Sequence, residues 1–410
     1  MTKTKNLILI TSEFPFGSQE TFLETEFPYL CRHFDSVIVI AQTTDSNIRC
    51  VIPHNVTLIQ KEFVLSAFDK MKLGRFFFRK EVLQEIRNVR RLYQRALNWG
   101  ILKTILVSYR RSLQMEAFLD RILMGMPDGK TYLYSYWSDD GAIAIGRLKS
   151  THPSLIVFSR AHGWDVYFEP SIYKYLPFRT FLLNHLSAVF CVSKKGVDYI
   201  ANRWRADTDS PVYLSRLGVA APLQTRSTHG RFTIVSCSSC IPLKRVHLII
   251  EALQQLRGVH LRWIHFGDGP LLETLKASAA RLIPPEIEVV FKGRVLNSEV
   301  LQFYREEAPS LFINVSESEG VPVSIMESMA YSIPVIASDV GGNSEIVNAE
   351  NGFLLPADLT GDDLAALLRQ LVQQPDKLAS RALAAYNTWG RHFNADMNFP
   401  EFLDKLDNLI

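Results

Sequence analysis

The chain has 410 residues, 47% of them hydrophobic and 21% charged, enough to bury a large core, so it is neither a disordered tail nor a small stapled scaffold. Its 45 Lys and Arg against 42 Asp and Glu leave a net charge of only +3, too little for bulk electrostatics to predict nucleic-acid binding. The five cysteines, Cys31, Cys50, Cys191, Cys237 and Cys240, are odd in number and scattered, which argues against a disulfide framework and for a reducing compartment.

The amino terminus places two lysines before the short apolar run Leu7 to Ile10 and lacks both a signal-length core and a cleavage site, so it reads as a first β-strand. No segment reaches the roughly 18 uninterrupted apolar residues of a membrane-spanning helix, and the expected location is cytoplasmic or peripheral at the inner face of the cytoplasmic membrane. Short β-branched runs then alternate with longer helical patterns. Asn6 to Thr11, Ser36 to Ala41, Thr131 to Tyr136, Leu155 to Ser159 and Ala188 to Val192 read as buried strands of a parallel sheet.

A second series follows the turn-rich stretch Val219 to Gly230: Phe232 to Cys237, Leu261 to Phe266, Glu288 to Phe291, Leu311 to Val315 and Pro334 to Ala337. The fold class is therefore α/β, with two doubly wound, Rossmann-like domains. The expected spans are residues 1–218 and 219–385, with 386–410 a carboxyl-terminal helix packing back across the junction. A ligand is expected in a cleft at the carboxyl ends of the strands.

Residues 61–112 depart from the even charge balance, holding 13 Lys and Arg against four acids. Arg87, Arg91 and Arg95 recur every four residues, as on one helix face, and Phe76, Phe77 and Phe78 sit among basic residues. Two readings fit: a patch facing an anionic membrane, or a solvated helix face with its apolar side in the core.

The densest chemical signal runs from Ser316 to Ala330. A strand ends, a loop carries Glu319, and a helix starts near Pro322 and carries Glu327. The N–H groups of such a helix start suit a phosphate, whereas carboxylates beside it suit neutral hydroxyls, such as those of a sugar and a ribose. With Glu319 and Glu327 separated by seven residues, Gly320 following the first, and Gly341, Gly342 and Glu345 further on, the chain resembles the family 4 glycosyltransferases of the glycosyltransferase-B fold, of the bacterial polysaccharide-biosynthesis type.

That resemblance implies a nucleotide-sugar donor, UDP- or GDP-linked, a saccharide or lipid-linked acceptor, retention at the anomeric carbon, and no metal or other cofactor. It implies that Glu327 holds the ribose, that Glu319 contacts the donor sugar, and that Gly320, Val321 and Val323 lie at the donor. Lys244 matches the lysine that grips the donor diphosphate, but serine (Ser238 or Ser239) stands where the family places an arginine, leaving Arg245 as a second cation. Pro322 also departs from the usual glycine.

His162, in Ser159-Arg-Ala-His-Gly-Trp-Asp, resembles the family's catalytic His-Gly-x-Asp turn. Gly17 resembles the flexible loop near the donor, a role no stronger from sequence than that of a plain turn glycine. Gly267, Arg294 and Val295 fall at strand ends where the family contacts the base. Asp207-Thr-Asp209 has the D-x-D spacing of metal-dependent transferases but reads as a solvated loop. Two alternatives remain beside glycosyl transfer: a nucleotide-sugar epimerase of the same fold, and a catalytically silent nucleotide-sugar-binding subunit.

Overall fold

Runs of β-branched and aromatic residues buried on both faces form the central strands, and the helical stretches between them supply the crossovers that parallel pairing requires. The structure, a computed structural model, describes residues 4–17, 20–204, 211–222 and 231–409. Asp207 and Asp209 lie outside the described residues, as does most of the turn-rich stretch after Val219.

The chain divides into two compact units, the first comprising Met1–Arg216 with Phe399–Ile410 and the second Leu217–Asn398. The first is built on β1 (Lys5–Thr11), β2 (Ser36–Ala41), β3 (Val56–Gln60), β4 (Lys130–Ser135), β5 (Ile156–Ala161), β6 (Ala188–Cys191) and β7 (Val212–Leu214). They form one parallel sheet in the order β3-β2-β1-β4-β5-β6-β7. Alternation along β1 sends Leu7 and Leu9 into one apolar layer with Tyr134 and Phe158, and Ile8 and Ile10 into another with Leu133 and Val157.

The second unit holds β8 (Thr233–Cys237), β9 (Leu261–Phe266), β10 (Ile287–Gly293), β11 (Leu311–Asn314), β12 (Val335–Ser338) and β13 (Gly352–Leu355). Their order is β10-β9-β8-β11-β12-β13, again all parallel. In each sheet the strand order reverses beside the first strand, between β1 and β4 and between β8 and β11. The loops leaving such a pair diverge to opposite faces and open a crevice at the carboxyl ends of the strands, where open α/β sheets bind ligands.

Three strands were not foreseen from sequence: β3, which is half-exposed along its length, and the short β7 and β13. The carboxyl-terminal stretch also differs from expectation. A helix over Asp376–His392 belongs to the second unit, so that unit runs past residue 385. A further helix, Ala395–Asp407, returns the chain to the first unit at Phe399. No helix among the described residues is long and apolar enough to cross a membrane.

The basic stretch folds as a helix at Ala67–Met71, a 3-10 turn at Leu73–Phe76 and a helix at Lys80–Arg91. The three consecutive phenylalanines separate: Phe76 enters the core, Phe77 is half-buried and Phe78 is 80% exposed. Arg87 and Arg91 are exposed on the second helix, but Arg95 lies beyond its end and is half-buried, so the expected row of three arginines is a row of two.

Candidate functional site

In the second unit, the loops after the neighbouring strands β8 and β11 bring together two of the motif residues. β8 ends at Cys237 and is followed by a 3-10 turn over Pro242–Lys244. β11 ends at Asn314 and is followed by a loop to the helix Val323–Ala330. The backbone joins the two loops where Glu317 N–H donates to the Leu243 carbonyl at 2.8 Å. Lys244 Nζ then lies 2.7 Å from Glu319 Oε1. The same oxygen accepts from Ser316 Oγ at 2.6 Å and Asn314 Nδ2 at 3.1 Å, so the carboxylate is fixed by three donors from strand end and loop.

Arg245 takes a different place from that of a second phosphate cation. Its backbone is left-handed (φ 47°), and its guanidinium donates to the carbonyls of Val315 (2.7 Å), Ser316 (3.1 Å) and Ala357 (3.0 Å), bracing the loop that holds Glu319. Ser239 is exposed and Ser238 half-buried.

Glycines permit the close packing of these loops. A Cβ on Gly341, which has φ +50°, would overlap the carbonyl oxygen of Glu319, and one on Gly342 would overlap that of Gly320. Gly342 N–H donates to that Gly320 carbonyl at 2.7 Å. Gly267, at φ +140°, lies against the Ser238 carbonyl in the same manner. Val321 is buried and Val323 half-buried at the helix start. Pro322 occupies the N-cap without a side-chain cap, and helical geometry leaves the N–H groups of Val323 and Ser324 without intrahelical acceptors.

Glu327 is buried one turn into that helix, where Oε1 accepts from Asn297 Nδ2 at 2.9 Å. Asn297 opens the helix Asn297–Glu307, just after Arg294, which is exposed, and Val295, which is half-buried. Burial, and then the charge of Glu327, push the Cys237 thiol up to about 12, which sets this carboxylate near the end of β8. Sequence reasoning missed Asn297, Asn314 and Ser316. The signal for Asn297 was its position at a helix start immediately after a strand.

His162 follows β5 in the first unit. It is 8% exposed, its ring is packed by Trp137 (centroids 4.4 Å apart), Tyr136 (5.0 Å) and Phe22 (5.7 Å), and neither ring nitrogen has a hydrogen-bond partner among the described residues. Asp165 Oδ1 accepts the His162 backbone N–H at 2.8 Å, and Oδ2 lies 3.8 Å from Nδ1. Burial works to raise the Asp165 carboxyl, but its contacts with the His162 side chain and with backbone N–H groups outweigh it and hold the group low. Gly17 has φ +61° beside the Glu13 side chain.

A cavity of about 450 Å³ lies elsewhere in this unit, among Lys80, Gln84, Arg147, Asn184 and His185, and contains none of the motif residues. No cluster of three His, Cys, Asp or Glu placed to hold a metal ion occurs among the described residues.

Comparison with known proteins bears on the same loops. The putative colanic acid biosynthesis glycosyltransferase WcaL of Escherichia coli strain K12 is 29% identical over 171 residues, covering 39% of this chain and 41% of WcaL. The O-antigen biosynthesis glycosyltransferase WbnH of Escherichia coli is 33% identical over 240 residues, covering 55% of this chain and 63% of WbnH. The chain thus spans about half the length of the curated relatives it matches.

Among solved structures, Anabaena Alr3699/HepE in complex with UDP aligns over 99% of this chain and 100% of its own, with a TM-score of 0.66 and 15% identity. At that identity the likeness is one of fold, the glycosyltransferase-B fold. Residues 223–388, which include Lys244, Glu319 and Glu327, match the family model of glycosyl transferases group 1.

Proposed function

We propose that the protein is a retaining glycosyltransferase that moves a sugar from a nucleotide diphosphate donor, UDP- or GDP-linked, to a hydroxyl of a saccharide or lipid-linked acceptor. Its relatives in colanic acid and O-antigen biosynthesis favour a role in cell-surface polysaccharide assembly. The observation that carries the reading is the Lys244–Glu319 pair, set where the strand order of the second sheet reverses and beside an uncapped helix start.

In the reaction proposed, the acceptor oxygen bonds to the anomeric carbon on the face that the diphosphate leaves. The carbon–oxygen bond to the diphosphate breaks with its electron pair on the phosphate, and the acceptor hydroxyl proton passes to that phosphate oxygen. Lys244 and the N–H groups at Val323 and Ser324 offset the charge that develops, without a metal ion. Glu319 orients the donor sugar, Glu327 with Asn297 accepts the ribose hydroxyls, and His162 steadies the reacting centre.

We further propose that the exposed basic stretch, with Phe68, Met71 and Phe78 at its surface, docks the enzyme on the anionic inner face of the cytoplasmic membrane. The test of the main reading is a thermal-shift screen of nucleotide sugars and nucleoside diphosphates with EDTA present. A ligand at 100 times its dissociation constant adds about 2.7 kcal/mol to stability. Stabilisation by a nucleoside diphosphate, with glycoside formed from the matching donor, is expected. No stabilisation by any of them overturns the reading, and nucleotide binding without glycoside would favour the silent subunit, which the serine in place of arginine and the bracing role of Arg245 also favour.

A further inference from the structure

Two loops at the carboxyl edge of the first sheet carry more aromatic surface than the reaction above uses. The loop after β4 holds Trp137 and the loop after β5 holds Trp164, with ring centroids 5.2 Å apart at 42°. Asp165 keeps the loops in register, because its carboxylate accepts Ser138 N–H from one at 3.0 Å and His162 N–H from the other at 2.8 Å.

Trp137 is fixed a second time. Its indole N–H donates to Glu20 at 2.6 Å, and the same buried carboxylate accepts the backbone N–H groups of Ser12 (3.0 Å), Glu13 (2.8 Å) and Phe14 (2.8 Å). The polar edge of this indole is therefore satisfied internally, and binding falls to its face. Trp164 remains 54% exposed. Both rings adjoin His162, either directly (Trp137) or through the four-residue turn it shares with Trp164 and Asp165.

The chemistry around the pair selects the ligand. The nearby charged groups at the loop ends are carboxylates: Asp139, Asp165 and Glu20. Burial, and then the neighbouring Asp140, raise the half-buried Asp139 carboxyl to about 7. The cation beneath them, Arg179, is buried and donates to the carbonyls of Asp165 (3.1 Å) and Pro177 (3.0 Å). Negative charge beneath the rings repels phosphate, so a lipid headgroup or a nucleotide is disfavoured and a neutral polyol is favoured. A pyranose has the matching shape, a weakly apolar face of C–H groups with hydroxyls at its rim.

We propose that Trp137 and Trp164 form a stacking platform for a pyranose ring of a saccharide acceptor, a reading that rests on the glycosyl transfer proposed above. Glu20 and Asp165 are its positioning residues, holding the indoles in place before the sugar arrives.

The test uses the full chain, with maltose and lactose as probes in saturation-transfer NMR, beside the nucleoside-diphosphate thermal shift. Transfer to the ring protons is expected in the parent protein, reduced in Trp164→Phe and weakened about tenfold in Trp164→Ala, with nucleotide stabilisation unchanged in all three. A folded Trp164→Ala that binds the sugars like the parent overturns the platform, as does a parent that binds neither. So does loss, in Trp164→Ala, of binding to anionic vesicles or of self-association. Sugar binding without nucleotide stabilisation instead overturns the glycosyl-transfer reading and leaves a saccharide site, so the two failures are distinguishable.

Discussion

Lys244 and Glu319 share one partly buried contact, and this decides what each substitution does. Removing the lysine leaves the Glu319 carboxylate with Ser316 and Asn314 as donors, so Lys244→Ala should fold. If Lys244 offsets charge that grows as the glycosidic bond breaks, kcat should fall with affinity by about 2.7 to 4 kcal/mol, as for a preorganised electrostatic group. Because the two residues touch, Lys244→Ala with Glu319→Gln should depart from additivity by about 0.5 to 3 kcal/mol in steady-state kinetics. An unchanged kcat in Lys244→Ala would remove the lysine from the reaction.

His265 offers a separate test in the same unit. It is fully buried on β9, hydrogen-bonded to Ser236 and near the Cys240 sulfur, and burial pushes it down to about 4. The unfolded chain binds a proton on this residue near 6.5, so its contribution to stability is complete above that value and is lost as pH falls towards 4. The loss is on the order of 3 kcal/mol, as an upper bound. His265→Gln should therefore unfold with less pH dependence between 6.5 and 4 than the parent in urea titrations. Asp139 in the first unit has the opposite sign: its raised carboxyl holds a proton that the unfolded chain would release, so stability falls as pH rises from about 4 to about 7. Equal slopes for His265→Gln and the parent would mean that the imidazole is not held neutral.

At the scale of elements, the basic segment makes the sharpest claim. It exposes Phe68 (61%), Met71 (82%) and Phe78 (80%) among Lys70, Lys72, Arg75, Arg79 and Lys80. Near an anionic leaflet each basic residue contributes about 1 kcal/mol, screened over roughly 8 to 10 Å. Vesicle sedimentation should show binding that needs anionic lipid and falls with salt. Arg75→Glu with Arg79→Glu, or Phe78→Ser, should weaken it. Equal binding to neutral and anionic vesicles would leave only a solvated face.

The same segment shows what sequence hides. Three adjacent phenylalanines read alike, but backbone that turns from residue to residue sends Phe76 inward and Phe78 out. An interior strand such as β2 was legible to the residue, because burial on both faces writes a near-continuous apolar run, Val37 to Ala41. The edge strand β3, Val56–Gln60, mixes polar residues into a half-exposed pattern, and β7 and β13 are too short to carry a period. At the site, spacing exposed the two glutamates and the lysine. It gave the charge of Arg245 but not its direction, and Asn297 reaches Glu327 only because a different strand–helix turn folds beside it.

For the molecule as a whole, the carboxyl-terminal helix ties stability of the first unit to residues far along the chain. Phe402 is buried among Tyr134, Phe158 and Phe190, with ring centroids 5.9, 6.1 and 4.8 Å away, and the Arg160 guanidinium lies 4.5 Å over its ring. Arg160 is itself fully buried and paired with Glu26 at 3.0 Å, so the phenyl ring closes a layer that already contains an ion pair. Leu403 and Leu406 are buried in the same layer, and Asp407 holds Lys5 at 2.8 Å. The second unit has its own apolar core, around Trp263, Ile313 and Leu368. Phe402→Ala should therefore cost the first unit about 3 to 5 kcal/mol, a large share of the roughly 5 to 15 kcal/mol that holds a domain folded. Calorimetry should show one transition moved down while the transition that nucleoside diphosphate raises keeps its temperature. If both transitions fall together, the two cores unfold as one and the division at Arg216 does not describe how the protein melts.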